Sequence, residues 1–156
     1  MEAKEYLEQI IRLRQLIGKL DVKIARKRYC LQSFGSGGFG VGRPQKNSND
    51  SKHARILVEI DSLEYQKRQV DSLISIFSQE LEDVFDGMEE TSAAVLTGRY
   101  ICGQSLRQIA GSVYLSKTTV CRKIEAAVDQ VQVPEPHFEL NQELKNAHLT
   151  SLIEIC

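Results

Sequence analysis

Two apolar stripes with the spacing of a coiled-coil seam limit what this chain can fold into. The first runs Tyr6, Ile10, Leu13, Ile17, Leu20, Ile24, Lys27, Leu31, in steps of 4, 3, 4, 3, 4, 3 and 4. The second runs Ile56, Ile60, Leu63, Lys67, Val70, Ile74, Phe77, Leu81, Val84, again alternating 4 and 3. That 3.5-residue period marks helices that bury a narrow seam against another helix. Each helix is about 30 residues, or about 45 Å. An apolar side chain left in water forfeits about 1.5–3 kcal/mol, so neither seam stays bare. The economical fold is an antiparallel hairpin in which each seam covers the other, though the same seams can instead pair between two chains. Lys27 and Lys67 are the only polar residues in the two stripes. Each is expected to lay its stem in the seam and keep its ammonium in water.

Charge supports the pairing. The chain has 156 residues and a net charge of -1, but the average conceals blocks. Lys and Arg minus Asp and Glu is +4 over residues 1–32, +2 over 33–52, -7 over 53–90, +3 over 91–132 and -3 over 133–156. A basic first helix beside an acidic second one neutralises much of both blocks internally. The basic block at 91–132 is left to other partners.

Residues 33–52 are rich in Gly, Ser and Asn and read as the connector at the hairpin tip. Gly35, Gly37 and Gly40 spell GxGxxG, but a dinucleotide site needs a strand before it and a βαβ unit around it. Gly42-Arg43-Pro44 matches the centre of an AT-hook without its flanking Arg.

After Gly87 the pattern shortens. Thr91–Cys102 makes a short helix, with Val95, Leu96 and Ile101 available for burial and Gly103 ending it. Ser105 followed by Gln108 is a capping box that starts the next helix, with Leu106, Ile109 and Ala110. A turn through Val113, Tyr114 and Leu115 leads to Ser116, the cap of a further helix that buries Val120, Ile124, Ala127, Val128 and Val131. Pro134 and Pro136 stop it. This order is that of a helix-turn-helix. The turn usually holds Gly where Tyr114 stands, so a looser variant is expected. Lys117, Thr118, Thr119, Arg122 and Lys123 form the outward polar face. Lys117, Thr118, Thr119 and Arg122 are the candidates for base edges, and Ser105, Arg107 and Ser116 for phosphates or helix caps.

The segment Val95–Val131 resembles region four of bacterial RNA polymerase sigma factors. The resemblance rests on Arg99-Tyr100 before Gly103, on Ser105-Leu106-Arg107-Gln108-Ile109-Ala110, and on Ser116 with Val120. Together with the opening Ala3-Lys4-Glu5-Tyr6-Leu7-Glu8-Gln9-Ile10 and the hairpin, residues 3–132 resemble small sigma factor-like transcriptional regulators of phages and mobile elements. The resemblance implies reading of double-stranded DNA by the second helix of the motif, and contact with RNA polymerase. Promoter melting uses an aromatic-rich region that captures unpaired bases. This chain has no Trp and few aromatics, so the resemblance implies an adaptor or activator.

The expected fold is all-α. Residues 1–88 form the hairpin, 89–133 the helix-turn-helix domain, and 134–156 a tail able to form a short helix. Two other functions fit parts of the pattern: a phage DNA-packaging protein like a small terminase subunit, and a structural coiled-coil protein. An enzyme is not expected, because no paired carboxylates or nucleophile–base set stands out. Cys30, Cys102, Cys121 and Cys156 are at least 19 residues apart, and His53, His137 and His148 have no ligand spacing. No metal or cofactor is expected. No apolar run reaches the ~20 residues of a membrane span, and a soluble cytoplasmic chain is expected.

Overall fold

Both seams form long helices in a computed structural model of the chain, which describes residues 1–35 and 46–155. Helix α1 spans Ala3–Gly35 and α2 spans Lys46–Asp86. Each runs past the boundary expected from composition, since a helix propagates cheaply once nucleated. The remainder of the Gly-rich connector, including Gly37, Gly40 and Gly42-Arg43-Pro44, lies outside the described residues, as does Cys156. Then follow α3 (Glu90–Leu96), a π-helical turn (Thr97–Ile101), α4 (Leu106–Val113), α5 (Lys117–Gln130), α6 (Leu140–Asn146) and a 3-10 turn (Thr150–Ile155). The fold is all-α, with no strand among the described residues.

Two compact units result: Leu16–Asp71, and Met1–Gln15 together with Ser72–Cys156. These units do not follow the expected boundaries near residues 88 and 133. The tail and the helix-turn-helix share a unit with the start of α1 and the end of α2.

In the unit Leu16–Asp71, α1 and α2 run antiparallel. Lys27 pairs with Glu59 at 2.6 Å, Lys67 with Asp21 at 2.7 Å, and Arg28 with Glu64. Leu16, Leu20, Ile24, Ile60 and Val70 are buried. The two seam lysines therefore end on carboxylates of the facing helix rather than in water alone. Such part-exposed pairs contribute about 0.2–1 kcal/mol each and serve mainly to fix the register.

The other unit has a denser core. Tyr6, Leu7, Ile10 and Leu13 from α1 are buried with Phe77, Leu81 and Phe85 from α2. The tail docks here. Phe138, Leu140, Leu144, Leu149 and Leu152 are all buried. Phe138 stacks on Phe77, with centroids 4.4 Å apart, and Tyr6 meets Phe77 edge-on at 5.2 Å. Gln9 is 4% exposed and its amide acts as a strand edge would. Its Nε2 donates to the Phe138 carbonyl at 3.1 Å, and its Oε1 accepts from the Leu140 N–H at 2.6 Å. Glu80 completes the junction, accepting from the Tyr6 hydroxyl at 2.5 Å and from the Phe138 N–H at 2.9 Å.

Burial, and then the adjoining Glu80 carboxylate, push the Tyr6 phenol well above its ordinary value of 10.0. A raised folded-state value means its contribution is fully present below about pH 10 and is lost as pH rises further. Glu80→Ala is expected to cost about 2–3 kcal/mol, because it orphans two part-buried donors. Urea unfolding measures that loss, and amide exchange at Phe138 should accelerate. Tyr6→Phe should reduce the loss of stability above pH 10.

Candidate nucleic-acid interface

The helix-turn-helix is built on three closely packed helices. Val95 and Leu96 of α3, Ile109 of α4, and Val120, Ile124, Ala127 and Val128 of α5 are buried. Val131, just past α5, is buried as well. The sequence pattern suggests a straight α-helix from Thr91 to Cys102. Instead the Cys102 N–H donates to the Thr97 carbonyl at 2.9 Å, five residues back, and the last turn widens to π geometry. Gly98 lies at the tightest approach in this region. A Cβ there would stand 3.0 Å from Gln104 Oε1 and 3.0 Å from Ile109 Cγ1. Gly103 has φ +65° and ends the segment, as its position in the sequence suggests. The Arg14 guanidinium reaches over it to the Ile101 carbonyl, and burial holds the Arg14 pKa below its ordinary value.

Ser105 forms the expected capping box: its Oγ accepts from the Gln108 N–H at 3.3 Å, and Gln108 Oε1 accepts from the Ser105 N–H at 2.9 Å. Ser116 caps α5, accepting from the Thr119 N–H at 3.2 Å, and its Oγ lies 2.7 Å from Thr119 Oγ1. The Thr119 hydroxyl is thus turned back into the cap and is only half-exposed. The turn between these helices is not the looser variant expected. Tyr114 takes the left-handed conformation itself, at φ 56° and ψ 39°, and its N–H caps α4 on the Ala110 carbonyl. Leu115 donates to the same carbonyl at 3.1 Å. Tyr114 fills the glycine role at the strain of an L-residue in this region, about 1–2 kcal/mol. Its side chain is 93% exposed, so packing does not repay that strain.

The outward face of α5 is polar in two halves. Lys117, Thr118 and Arg122 are exposed near its N-terminus, with Lys123 half-exposed beside them. Exposed Glu125 and Asp129 occupy the C-terminal half. Arg107 is exposed in the first turn of α4. Positive side chains therefore coincide with the positive end of the α5 dipole, and an anion is attracted to the N-terminal half and repelled from the other. The sequence pattern places the basic residues here. It does not show that Tyr114 stands exposed in the turn just before them, because that depends on a backbone conformation Tyr rarely adopts.

Beside this face, Leu106, Ile124 and Val128 line a groove of about 410 Å³ with Ile11 of α1 and the half-exposed Cys121. Among the described residues, no three His, Cys, Asp or Glu side chains are grouped to hold a metal ion. No described helix is long and apolar enough to cross a membrane. Comparison of the chain with protein-family models, curated proteins and solved structures finds no match.

Two substitutions test this local architecture in opposite directions. Tyr114→Gly is expected to raise stability by about 1 kcal/mol by relieving the positive φ. Gly98→Ala is expected to lower it by about 1–3 kcal/mol, since the methyl has no room against Ile109. Thermal unfolding of each variant reads both effects.

Proposed function

We propose that this protein is a sequence-specific DNA-binding transcription regulator whose C-terminal domain works as sigma factor region four does. The observation that carries the proposal is the coincidence, on one capped helix end, of Lys117, Thr118 and Arg122 with the α5 N-terminus. Lys117 and Lys123 suit phosphates. Arg122 suits a guanine edge, which it can meet with two hydrogen bonds, and Thr118 offers a hydroxyl and a methyl to a base. Arg107 at the start of α4 suits the flanking backbone, where helix N-termini commonly meet phosphates. Thr119, committed to Ser116, supports the helix end and is not assigned a base. Ser105 and Ser116 are assigned to helix capping.

Glu125 and Asp129 restrict docking to the first turns of α5, so the helix enters the major groove end-on rather than along its length. The local charge of +3 is small, and affinity per chain is modest. A regulator of this kind gains from a second contact. The resemblance to phage and mobile-element regulators supports RNA polymerase as that contact, with the protein acting as an adaptor or activator in the cytoplasm.

Binding to a promoter fragment from the protein's own genomic neighbourhood, measured against salt, tests the DNA reading. Lys117→Ala with Arg122→Ala should weaken binding. The slope of log K against log salt should become shallower by about 0.9 for each phosphate no longer neutralised. Equal weak binding of the parent and the double variant to promoter and random DNA would overturn the proposal.

A further inference from the structure

Tyr114 is held at φ 56° and ψ 39°, where a glycine is unstrained and an L-residue is not. Nothing inside the chain offsets that strain, because the side chain is 93% exposed. A strained residue without internal contacts points to a contact made outside the chain. Its surroundings suit an anion. From Thr91 to Ile124 the sequence has no Asp or Glu and five cations: Arg99, Arg107, Lys117, Arg122 and Lys123. Tyr114 lies three residues before Lys117, at most about 10 Å along the chain. Exposed Gly111 and Ser112 precede it, and a Cβ at Gly111 would meet nothing within 4 Å, so the approach to the turn is open. The hydroxyls of Ser112, Ser116 and Thr119 are engaged within the motif. The Tyr114 hydroxyl has no hydrogen-bond partner among the described residues and is the neutral donor left in the turn.

We propose that the Tyr114 hydroxyl donates a hydrogen bond to a backbone phosphate of double-stranded DNA, at the edge of the groove that α5 enters. The contact rests on the DNA reading above and adds a residue to it. A helix with its side chains is about 10–12 Å across and the major groove about 12 Å wide, so α5 entering end-on fills the groove. The turn that feeds α5 then lies against a groove wall, where the phosphates run. Tyrosine is among the side chains that donate to phosphate oxygens, and such contacts set the register of a protein on the duplex. Tyr114 therefore positions α5 and reads no base. The left-handed backbone has a use in this arrangement, since it keeps the phenol outside the packed helices and next to the basic end of α5.

Equilibrium binding of the full chain to the promoter fragment and to random DNA, across salt, tests it. Tyr114→Phe keeps the ring, the exposure and the backbone conformation and removes only the hydroxyl. It is expected to weaken binding to both DNAs by a similar factor, about tenfold. The slope against salt should stay that of the parent, because a neutral donor releases no counterion, unlike Lys117→Ala with Arg122→Ala. Tyr114→Gly should lose as much affinity while its thermal stability rises. Ethylation of single phosphates should reveal one that weakens the parent and leaves Tyr114→Phe unaffected. Undiminished binding by Tyr114→Phe overturns the contact and leaves the DNA reading standing. A loss confined to the promoter overturns the assignment to a phosphate. Equally weak binding of the parent and of the Lys117, Arg122 double variant to both DNAs overturns the DNA reading and the contact with it.

Discussion

The Glu80 carboxylate holds together the unit formed by Met1–Gln15 and Ser72–Cys156. One oxygen receives the Tyr6 hydroxyl from α1 and the Phe138 N–H from the tail. Three stretches far apart in sequence thus meet at one acceptor on α2. The Gln9 amide repeats the arrangement one turn along α1, pairing with the backbone of Phe138 and Leu140. Buried polar groups are costly unless satisfied, so these bonds specify where the tail lies, while Phe77, Phe138 and the leucines of α6 supply apolar burial.

The helix-turn-helix, within the same unit, shows how a local rule can be broken at one residue and kept everywhere else. Ser105, Gln108 and Ser116 cap their helices as their spacing suggests, and Gly103 takes the positive φ that ends a segment. Tyr114 breaks the rule. A residue with a Cβ occupies the left-handed position, and both its own N–H and that of Leu115 reach the Ala110 carbonyl. The hydrogen bonds of the turn hold the conformation against its strain, and the ring is left in water just before the basic end of α5.

Charge has two separate roles. In the unit Leu16–Asp71, cations and carboxylates meet across the hairpin, at Lys27 with Glu59 and Lys67 with Asp21, and set its register. On α5 the charges are separated along one helix, basic at the start and acidic toward the end. A net charge of -1 over the chain describes neither arrangement. The second is the one on which the proposed DNA binding rests, because it directs an anion to a single helix end.

The all-α class, the two seams, the helix caps and the basic face of α5 are legible in the amino-acid order, because heptad spacing, capping pairs and charge order act between residues close in the chain. Packing of the helices was needed to settle the docking of the tail, the clamp by Gln9, the carboxylate of Glu80 shared between α1 and the tail, and the π turn at Thr97–Ile101. Each joins groups whose meeting depends on how helices pack. Gln9 has the same local pattern whether it faces water or the Phe138 backbone, and the packed fold alone chooses. Tyr114 and Thr119 make the same point within the candidate site. The type of Tyr114 suggests a departure in the turn, and the packed backbone makes it a helix cap in the left-handed region, while the Thr119 hydroxyl lies 2.7 Å from Ser116 Oγ.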